Sequence, residues 1–487
     1  MALTKIKTDG VTDDAITSGK IPANAVGSSE IAANSVGSSE LADDAVDTDA
    51  IQDNAVTAAK LADVGVIDNT NQLGTAVVTT TKIADETVTL AKLEHGTSSN
   101  DGKFLRANNG ADPTFETVST TPADGSITQA KLNFPVSNRN IMINGAMIVA
   151  QRGTSSTVNG YGSVDRMSPY SANTSVTTTH SQVAVTTGGA YDAGFRKAFQ
   201  VTKPAGSVAA NGQIAINYSI EGQDIVNSGW KMTDPNSKLT LSFWVKSSVS
   251  NHNPTFYVQA YDTPSATQFF NGQVSALTAD TWTKVTTVIP GHADIGIAND
   301  NTKGLVIGLN PWYGTDFTDA GNTNGAWTTF GTKPVDSTWL TTNNSTFQIT
   351  GYQLEVGSVA TDFEHRSYAQ ELQLCKRYYT KWCEGNSKYV GNGLVSGNTE
   401  VHASIMLPVT MRGTVAIDHT YGNDYWRIAG SMGGDKYIDG AWIVDNQQPN
   451  VFNIYSTPEV SLSSYVGDAG YVQGKNSASY MAFSSEL

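Results

Sequence analysis

Aliphatic residues recur at every fifth position over the first hundred residues of the chain, with polar or small residues between them. The series is Ile6, Val11, Ile16, Ile21, Val26, Ile31, Val36, Leu41, Val46, Ile51, Val56, Leu61 and Val66; after a slip of phase it resumes with Leu73, Val78, Ile83, Val88 and Leu93. The first aromatic residue is Phe104. Internal periodicity of this kind indicates a repeat architecture.

A period of five fits neither simple element, because it spreads the aliphatic residues around every face of a helix and alternates them between the faces of a strand. The intervening Gly, Asn, Asp, Ser and Thr favour turns. One aliphatic residue in five cannot offset the ordering entropy of a lone chain, whereas several chains on one axis would bury a ring at each level. We therefore predict that residues 1–96 form an intertwined trimeric shaft whose core runs from Ile6 to Leu61.

Two other interpretations of the repeat are a disordered low-complexity tail and a single-chain pentapeptide solenoid. The regular phase disfavours the tail. The solenoid requires a small residue two positions before each aliphatic one, whereas here the small residue usually comes immediately before it, as at Ala15, Ala25 and Ala45.

Alternating apolar and polar positions beyond residue 137 predict an all-β protein. Residues 97–136 are interpreted as a knob or collar with a return to the shaft, and residues 137–366 as a jelly-roll-like β-sandwich. Its strands are predicted at 198–202, 213–220, 239–246, 255–261, 282–289, 304–309 and 346–354. In the third of these strands, Leu239, Leu241, Phe243 and Val245 should face the core and Trp244 the other side.

One helix is predicted within a linking segment, residues 367–383, from an apolar stripe of Tyr368, Leu372, Cys375 and Tyr379. Residues 384–487 are predicted to form a small C-terminal β-rich tip domain, with strands near 387–395, 400–407, 414–418, 426–429, 441–444 and 451–455. The fold class is thus all-β with a trimeric repeat shaft, a central sandwich, one linking helix and a C-terminal β domain.

Charge and composition exclude several classes of partner. The net charge is −15 and charged residues are 15% of the chain, against roughly 25% in typical soluble proteins, so nucleic acid is not an expected partner. Residues 1–66 carry four lysines and eleven acidic residues, which suits a solvated shaft. The two cysteines exclude a disulfide scaffold, and the sequence predicts neither a signal peptide nor membrane insertion.

Several blocks resemble tail-fibre and fibre-like virion proteins of bacteriophages, especially marine and cyanobacterial phages. These blocks are ITSGKIPANAVGSSEIAANSVGSSELA in the repeat, NRNIMINGAMIVAQRGT (138–154) with VDRM (164–167), LTLSFWVKSS (239–248), GYQLEVGSVATDFEHRSYAQELQLCKRYY (351–379), LPVTMR (407–412) and SYMAFSSEL (479–487). The resemblance implies a homotrimeric fibre on a virion, with a carbohydrate-binding-module-like sandwich that contacts host surface polysaccharide or lipopolysaccharide. It also implies attachment to other virion proteins, tail or adaptor, through the N-terminus. The repeat begins by about residue 5, so a long N-terminal attachment domain is not expected.

The sequence contains none of the phosphate-loop, nucleophile-elbow, zinc-protease or Cys-x-x-Cys motifs, so we expect no catalytic residue, metal or cofactor. A glycan-cleaving fibre would need two neighbouring carboxylates. The candidates beside strands are Asp165, Glu221, Asp224, Glu355, Asp362 and Glu364. For Asp165-Arg166 and Glu364-His365-Arg366 the favoured interpretation is structural ion pairs inside the sandwich, and for Glu355 it is an anchoring role. The alternatives to a binding fibre are a tailspike-type depolymerase and a purely structural head fibre or connector.

Two aromatic clusters are candidates for stacking on sugar rings, as aromatic side chains do with the C–H faces of sugars. Residues 310–345 carry Trp312, Tyr313, Trp327 and Trp339, and the tip domain carries Tyr421, Tyr425, Trp426, Tyr437 and Trp442. The competing interpretation of both clusters is that these rings fill the cores or the interface of the trimer.

Overall fold

A computed structural model describes residues 15–37, 39, 41, 103–108, 111–117, 138–261, 267–430, 432–445, 447–448 and 450–487. The chain divides into two compact units, Met1–Val118 and Ser119–Leu487.

In the first unit, each described pentad contains a turn closed by a backbone hydrogen bond. The N–H groups of Lys20, Ala25, Glu30 and Ser35 donate to the carbonyl oxygens of Thr17, Pro22, Gly27 and Ala32 at 2.9–3.1 Å. Every second turn has an asparagine in the left-handed region, Asn24 at φ 62° and Asn34 at φ 66°, where a short polar side chain is tolerated. The part of the repeat that the structure describes is therefore built from pairs of pentads with alternating turn geometry.

The aliphatic residues of these pentads are exposed in the single chain. Ile16, Ile21, Val26, Ile31, Val36 and Leu41 retain 44–60% of their surface, so burial of this series by sister subunits stays a prediction. The other predicted shaft-core positions, Ile6, Val11, Val46, Ile51, Val56 and Leu61, lie outside the described residues. Within the range predicted as a collar, β1 (Lys103–Asn108) and β2 (Ala111–Thr117) form an antiparallel hairpin.

The second unit begins with a β-sandwich of two six-stranded antiparallel sheets. Sheet I contains β4 (Ser168–Ala172), β7 (Gln213–Glu221), β9 (Thr255–Ala260), β10 (Gln268–Gln273), β12 (Lys303–Tyr313) and β13 (Trp327–Thr328), and sheet II contains β3 (Ser155–Ser156), β5 (Thr179–Ala184), β6 (Lys197–Lys203), β8 (Lys238–Ser247), β11 (Thr283–Pro290) and β14 (Ser345–Val356). The strand orders are β13-β10-β9-β12-β7-β4 and β11-β8-β14-β6-β5-β3. Because the chain crosses repeatedly between the sheets, the arrangement is jelly-roll-like. The predicted all-β class with a central β-sandwich is confirmed, and the trimeric shaft stays a prediction.

The core lies between the inner faces of the two sheets. Leu239, Leu241, Phe243 and Val245 are fully buried there, while Trp244 is half-buried on the opposite side of β8. All seven strands predicted in the sandwich are present, each within a few residues of its predicted bounds. Three short helices, α1 (Gly189–Asp192), α2 (Gly222–Val226) and α3 (Thr338–Thr341), lie in the connections.

The linking helix α4 spans Tyr368–Lys376 and begins with a capping box between Ser367 and Gln370. Its predicted apolar stripe is partly wrong. Cys375 is buried as expected, but Tyr368 is exposed, and the other buried position of the helix is Glu371. Tyr379 is already in a strand, because the helix ends before Arg377 and the next residues pair with the end of the chain.

Two sheets form the C-terminal module. The first has the order β15 (Tyr379–Glu384), β24 (Tyr480–Ser484) and β18 (Ala416–His419). The second has the order β20 (Lys436–Ile438), β19 (Trp426–Gly430), β23 (Ala469–Gly474), β16 (Tyr389–Gly397), β17 (Glu400–Met406), β22 (Val451–Ser456) and β21 (Ile443–Asp445). The predicted strands of this region are all present, and β15, β20, β23 and β24 were not anticipated.

The end of the chain returns to the sandwich. Arg152 and Arg166 of the sandwich form ion pairs with Glu486 at 3.0 Å and 2.6 Å, and Arg412 donates to the backbone carbonyls of Asn301, Ser485 and Glu486 at 2.8–2.9 Å. The last residues therefore join the C-terminal module to the sandwich.

Candidate functional site

The outer face of sheet I carries a row of aromatic side chains. Alternation along β9 sends Phe256 and Val258 into the core and leaves Tyr257 and Gln259 on the outer side. On β10 the same alternation buries Phe270 and turns Phe269 outward. Phe269 and Tyr257 meet edge to face, with ring centroids 5.8 Å apart, which fixes two half-buried rings on one surface.

The ring of Tyr257 in β9 lies over the neighbouring strand β12, because β12 has a glycine, Gly308, opposite Tyr257. A Cβ added at Gly308 would lie 2.3 Å from the Tyr257 ring, so the ring occupies the space that any other residue at position 308 would fill. From there the hydroxyl of Tyr257 reaches over β12 to β7 and donates to Asn217 Oδ1 at 3.1 Å. The ring is thus laid along the sheet surface rather than projecting from it.

A bulge between Leu309 and Trp312 in the β12–β7 pairing brings a further aromatic side chain to the outer face. Trp312 enters the core, and Tyr313 remains half-buried on the outer side, where its ring lies 5.6 Å from that of Phe317. The hydroxyls of Tyr313 and Tyr257 lie near enough to influence each other's pKa. Burial raises the pKa of Tyr257 to about 12, so at neutral pH it stays a protonated donor.

We call Phe269, Tyr257, Tyr313 and Phe317 the aromatic row. Beside it lie the half-buried amides of Asn217, Gln259 and Gln213 on the outer face of the same sheet. Flat rings with amide donors and acceptors alongside are the groups that hold neutral polyhydroxylated ligands.

Only part of the predicted loop cluster contributes to this surface. Tyr313 is in the row, but Trp312 and Trp339 are 2% and 0% exposed in the core of the sandwich, because the bulge in β12 and helix α3 turn them inward. A ring without an exposed face cannot stack on a sugar, so these two candidates are corrected to core residues. Trp327 is half-buried, and its indole N–H is already used in a 2.9 Å hydrogen bond to the Pro290 carbonyl.

The C-terminal candidates divide in the same way. Trp426 and Trp442 are 0% and 3% exposed, and they pack edge to face in the core of the module, so they too are corrected to core residues. Tyr421 is 62% exposed, while Tyr425 is half-buried against the core. Tyr437 is half-buried and carries the Lys475 ammonium 3.4 Å above its ring.

Four of the six candidate carboxylates are engaged in strong structural contacts. Glu221 accepts two 2.7 Å hydrogen bonds from Arg377 and one from Tyr378; burial raises its pKa, but these bonds outweigh burial and lower it. Glu355 accepts from Thr361, Glu364 from Asn140 and Arg366, and Asp165 from Gln151. Glu364 and Arg366 form the expected ion pair, whereas Arg166 pairs with Glu486 and not with Asp165.

A cleft of about 990 Å³ lies between the segment at 138–143, α2 and α4. Asp224 lines it, and burial raises the pKa of this carboxyl. The described residues around the cleft are mainly amides, arginines and aliphatics, without an aromatic ring. The cleft therefore lacks the stacking surface that the aromatic row has.

The described residues give little support for a metal site, a reactive cysteine or a membrane-spanning helix. No group of three or more His, Cys, Asp or Glu side chains in the described part of the chain is placed to hold a metal ion. Cys375 and Cys383 are buried free thiols, and burial raises the pKa of Cys383 to about 11. Among residues that the structure describes, no helix has the length and apolarity to cross a bilayer.

The sequence did not single out Phe269 or Tyr257. The available signal was the pair Phe256-Tyr257 in a predicted strand, since one of two adjacent aromatic residues must face outward. Which of them faces a ligand depends on the pairing of β9 with β10 and β12, which alternation alone does not give.

No protein-family model matches the sequence, and no curated protein matches it significantly. Similar solved structures include the enzymatically active domain of tailspike protein 4 of bacteriophage CBA120, 10% identical over 45% of this chain and 21% of that one, with a TM-score of 0.25. A family 11 carbohydrate-binding module from Clostridium thermocellum is 12% identical over 44% of this chain and 98% of that one, with a TM-score of 0.21. The xylan-binding module CBM22-1 from Paenibacillus barcinonensis is 13% identical over 43% and 93%, with a TM-score of 0.22. This chain spans about a fifth of the tailspike domain's length, and likenesses at this level carry no argument about function.

Proposed function

We propose that this protein binds carbohydrate without cleaving it, through the outer face of sheet I. The observation that carries the proposal is the aromatic row, in which Tyr257 is laid flat over Gly308 beside the Asn217 amide. Aromatic rings bind the C–H faces of sugars, and amides bind their hydroxyl groups.

The binding test compares Tyr257→Ala with Tyr389→Ala. Both remove a tyrosine ring, but Tyr389 is exposed in the C-terminal module, so it controls for loss of surface aromatic area. Titration calorimetry with neutral host-derived oligosaccharides should show about tenfold weaker binding for Tyr257→Ala and no change for Tyr389→Ala. Equal affinities for the two variants would reject the aromatic row as the binding site.

We propose further that the chain is a homotrimeric phage tail fibre, part of a virion. In this proposal the N-terminus attaches to tail or adaptor proteins, and the β domains recognise host surface polysaccharide or lipopolysaccharide. The pentad aliphatics, exposed in the single chain, and the sequence blocks that resemble phage fibres support it. Three copies of a weak site would bind a cell surface strongly through avidity.

The mass of the purified protein in solution tests the trimer. Inhibition of phage adsorption by the added protein tests the role in host recognition. A monomeric mass, or adsorption unaffected by saturating protein, would overturn the corresponding part of this proposal.

A further inference from the structure

A pocket lined by aromatic side chains lies on the outer face of sheet II, on the side of the sandwich away from the aromatic row. It has a volume of about 420 Å³, within the usual range of roughly 300–1,000 Å³ for ligand pockets. Its floor is formed by Ser242 and Trp244 of β8 and Gly351 of β14. Its walls are the turn after α1 and the segment at 361–365, so three separate parts of the fold build it.

Two glycines leave room for the Trp244 ring at this floor. A Cβ at Gly189 would lie 2.7 Å from the six-membered ring of the indole, and one at Gly351 would lie 3.0 Å from its Cδ1 atom. Gly351 has φ +67°, which other residues adopt only with strain. Trp244 is half-buried, and its indole N–H has no acceptor among the described residues. The tryptophan ring thus fills the space that side chains at positions 189 and 351 would take, and its N–H is left as a donor for a ligand.

Phe363 and His365 form one wall of the pocket. Their rings are 4.9 Å apart, and both pack on Phe195, at 4.8 Å and 5.1 Å. His365 Nε2 lies 3.2 Å from the Ala193 carbonyl oxygen. Because a carbonyl only accepts, Nε2 is the ring nitrogen that donates in this contact.

The rim of the pocket is more acidic than basic. Asp192 and Asp362 are exposed there together with a single lysine, Lys284. None of these three side chains forms an ion pair within the described residues. Two carboxylates beside an indole ring match a ligand that carries hydroxyl donors and a positive charge, since carboxylates accept hydrogen bonds and the face of an indole attracts cations.

We propose that this pocket binds an amino sugar residue with a free amine. Its C–H face would stack on Trp244, and its ammonium group would lie between Asp192 and Asp362. This extends carbohydrate binding to a second face of the sandwich with different residues and a different charge preference. One chain would then engage a neutral and a cationic part of a glycan at the same time.

The experiment uses the full chain labelled with 5-fluorotryptophan and observed by fluorine NMR. Trp244→Phe identifies the Trp244 resonance, because that resonance alone should disappear. The probes are a glucosamine tetrasaccharide and an N-acetylglucosamine tetrasaccharide, which share a backbone and differ in the positive charge. The first should shift the Trp244 resonance, with an affinity at least tenfold higher than that of the second.

Variants on exposed residues separate the contacts without disturbing the core. The double variant Asp192→Asn, Asp362→Asn should lower affinity for the glucosamine probe about tenfold and abolish the preference between probes. Lys284→Gln removes a positive charge instead of a negative one, so it should preserve or strengthen the binding of the glucosamine probe. Tyr257→Ala should leave the Trp244 response intact, since that ring lies on the other sheet.

A Trp244 resonance unmoved by either probe would overturn the site. Equal shifts with the two probes, or a preference unchanged in the double aspartate variant, would overturn the assignment to an amino sugar. Loss of the response in Tyr257→Ala would overturn the independence of the two faces. If neutral glycans fail to bind while the Trp244 response persists, the proposed function of the aromatic row fails and this second site stands.

Discussion

Arg166 and Glu486 are 320 residues apart in the sequence and form a 2.6 Å ion pair inside the second unit. The guanidinium of Arg166 also stacks 3.4 Å from the ring centre of Tyr378 and donates to the Ser219 carbonyl oxygen. Both charged side chains are almost fully buried, 1% and 8% exposed. The penultimate residue of the chain is therefore the partner of a charge in the sandwich, and it ties the C-terminal module to the domain that carries the candidate sites.

Replacing Glu486 by Gln should destabilise the second unit. The variant leaves the buried Arg166 without a counter-charge, which costs about 3 kcal/mol when one partner of a buried pair is removed. Urea denaturation followed by tryptophan fluorescence measures the change. Glu459→Gln is the control, because Glu459 is exposed in the same module. Equal midpoints for the two variants would show that the pair does not hold the module in place.

Because of Asp165, the free energy of unfolding should fall as the pH rises from about 4 to 6. Burial raises the pKa of this carboxyl to about 6, although hydrogen bonds from Gln151 lower it in part. The folded protein therefore keeps the proton over a range in which the unfolded chain, with a pKa of 3.8, has lost it. Since the folded state binds more protons in this window, each rise in pH favours unfolding.

The Asp165→Asn variant has no such titration. Its free energy of unfolding relative to wild type should therefore increase by about 2 to 3 kcal/mol between pH 4 and pH 7. Denaturation of both proteins across this range measures the difference, with the exposed Asp316→Asn as a control. A difference that stays constant with pH would contradict the raised pKa.

Gly308→Ala tests whether the orientation of Tyr257 matters for binding. The added methyl group would overlap the ring, so the ring must leave the sheet surface and lose its hydrogen bond to Asn217. We expect about tenfold weaker binding to neutral oligosaccharides with the fold retained, as checked by circular dichroism. Gly397→Ala is the control, since a Cβ there meets no atom within 4 Å. Unchanged glycan affinity in Gly308→Ala would remove the flat ring from the binding surface.

Most strands of the second unit were predictable because one face of each sheet packs on a core. Strand β8 is the clearest example: Leu239, Leu241, Phe243 and Val245 alternate with residues of the opposite face and are all fully buried. Helix α4 was predicted less well, since its buried positions include Glu371. That carboxylate accepts a 2.7 Å hydrogen bond from the Asn144 N–H, a contact over 227 residues that an apolar pattern does not reveal.

The candidate sites were less predictable than the fold, because they depend on pairings between distant strands. Trp312 and Tyr313 are adjacent in sequence, and a bulge in β12 sends the first into the core and the second to the outer face. The importance of Gly308 could not be predicted from the sequence for the same reason. Its role appears only once the β9–β12 register places Tyr257 opposite it.

The pentad repeat yields a test in which neighbouring positions serve as controls for each other. Ile31 and Val36 are exposed in the single chain, and in the predicted trimer they would face sister subunits. Replacing both by Asp would bury six carboxylates in a three-chain shaft, and an unpaired buried charge is costly enough to prevent association. The double variant should therefore sediment as a monomer in analytical ultracentrifugation at concentrations at which the wild type is trimeric. Ser28→Asp adds a charge between the aliphatic positions, where the predicted shaft faces solvent, so it should leave the trimer intact. A double variant that still forms trimers, or a Ser28→Asp chain that dissociates as readily, would place the subunit contacts elsewhere than on the aliphatic series.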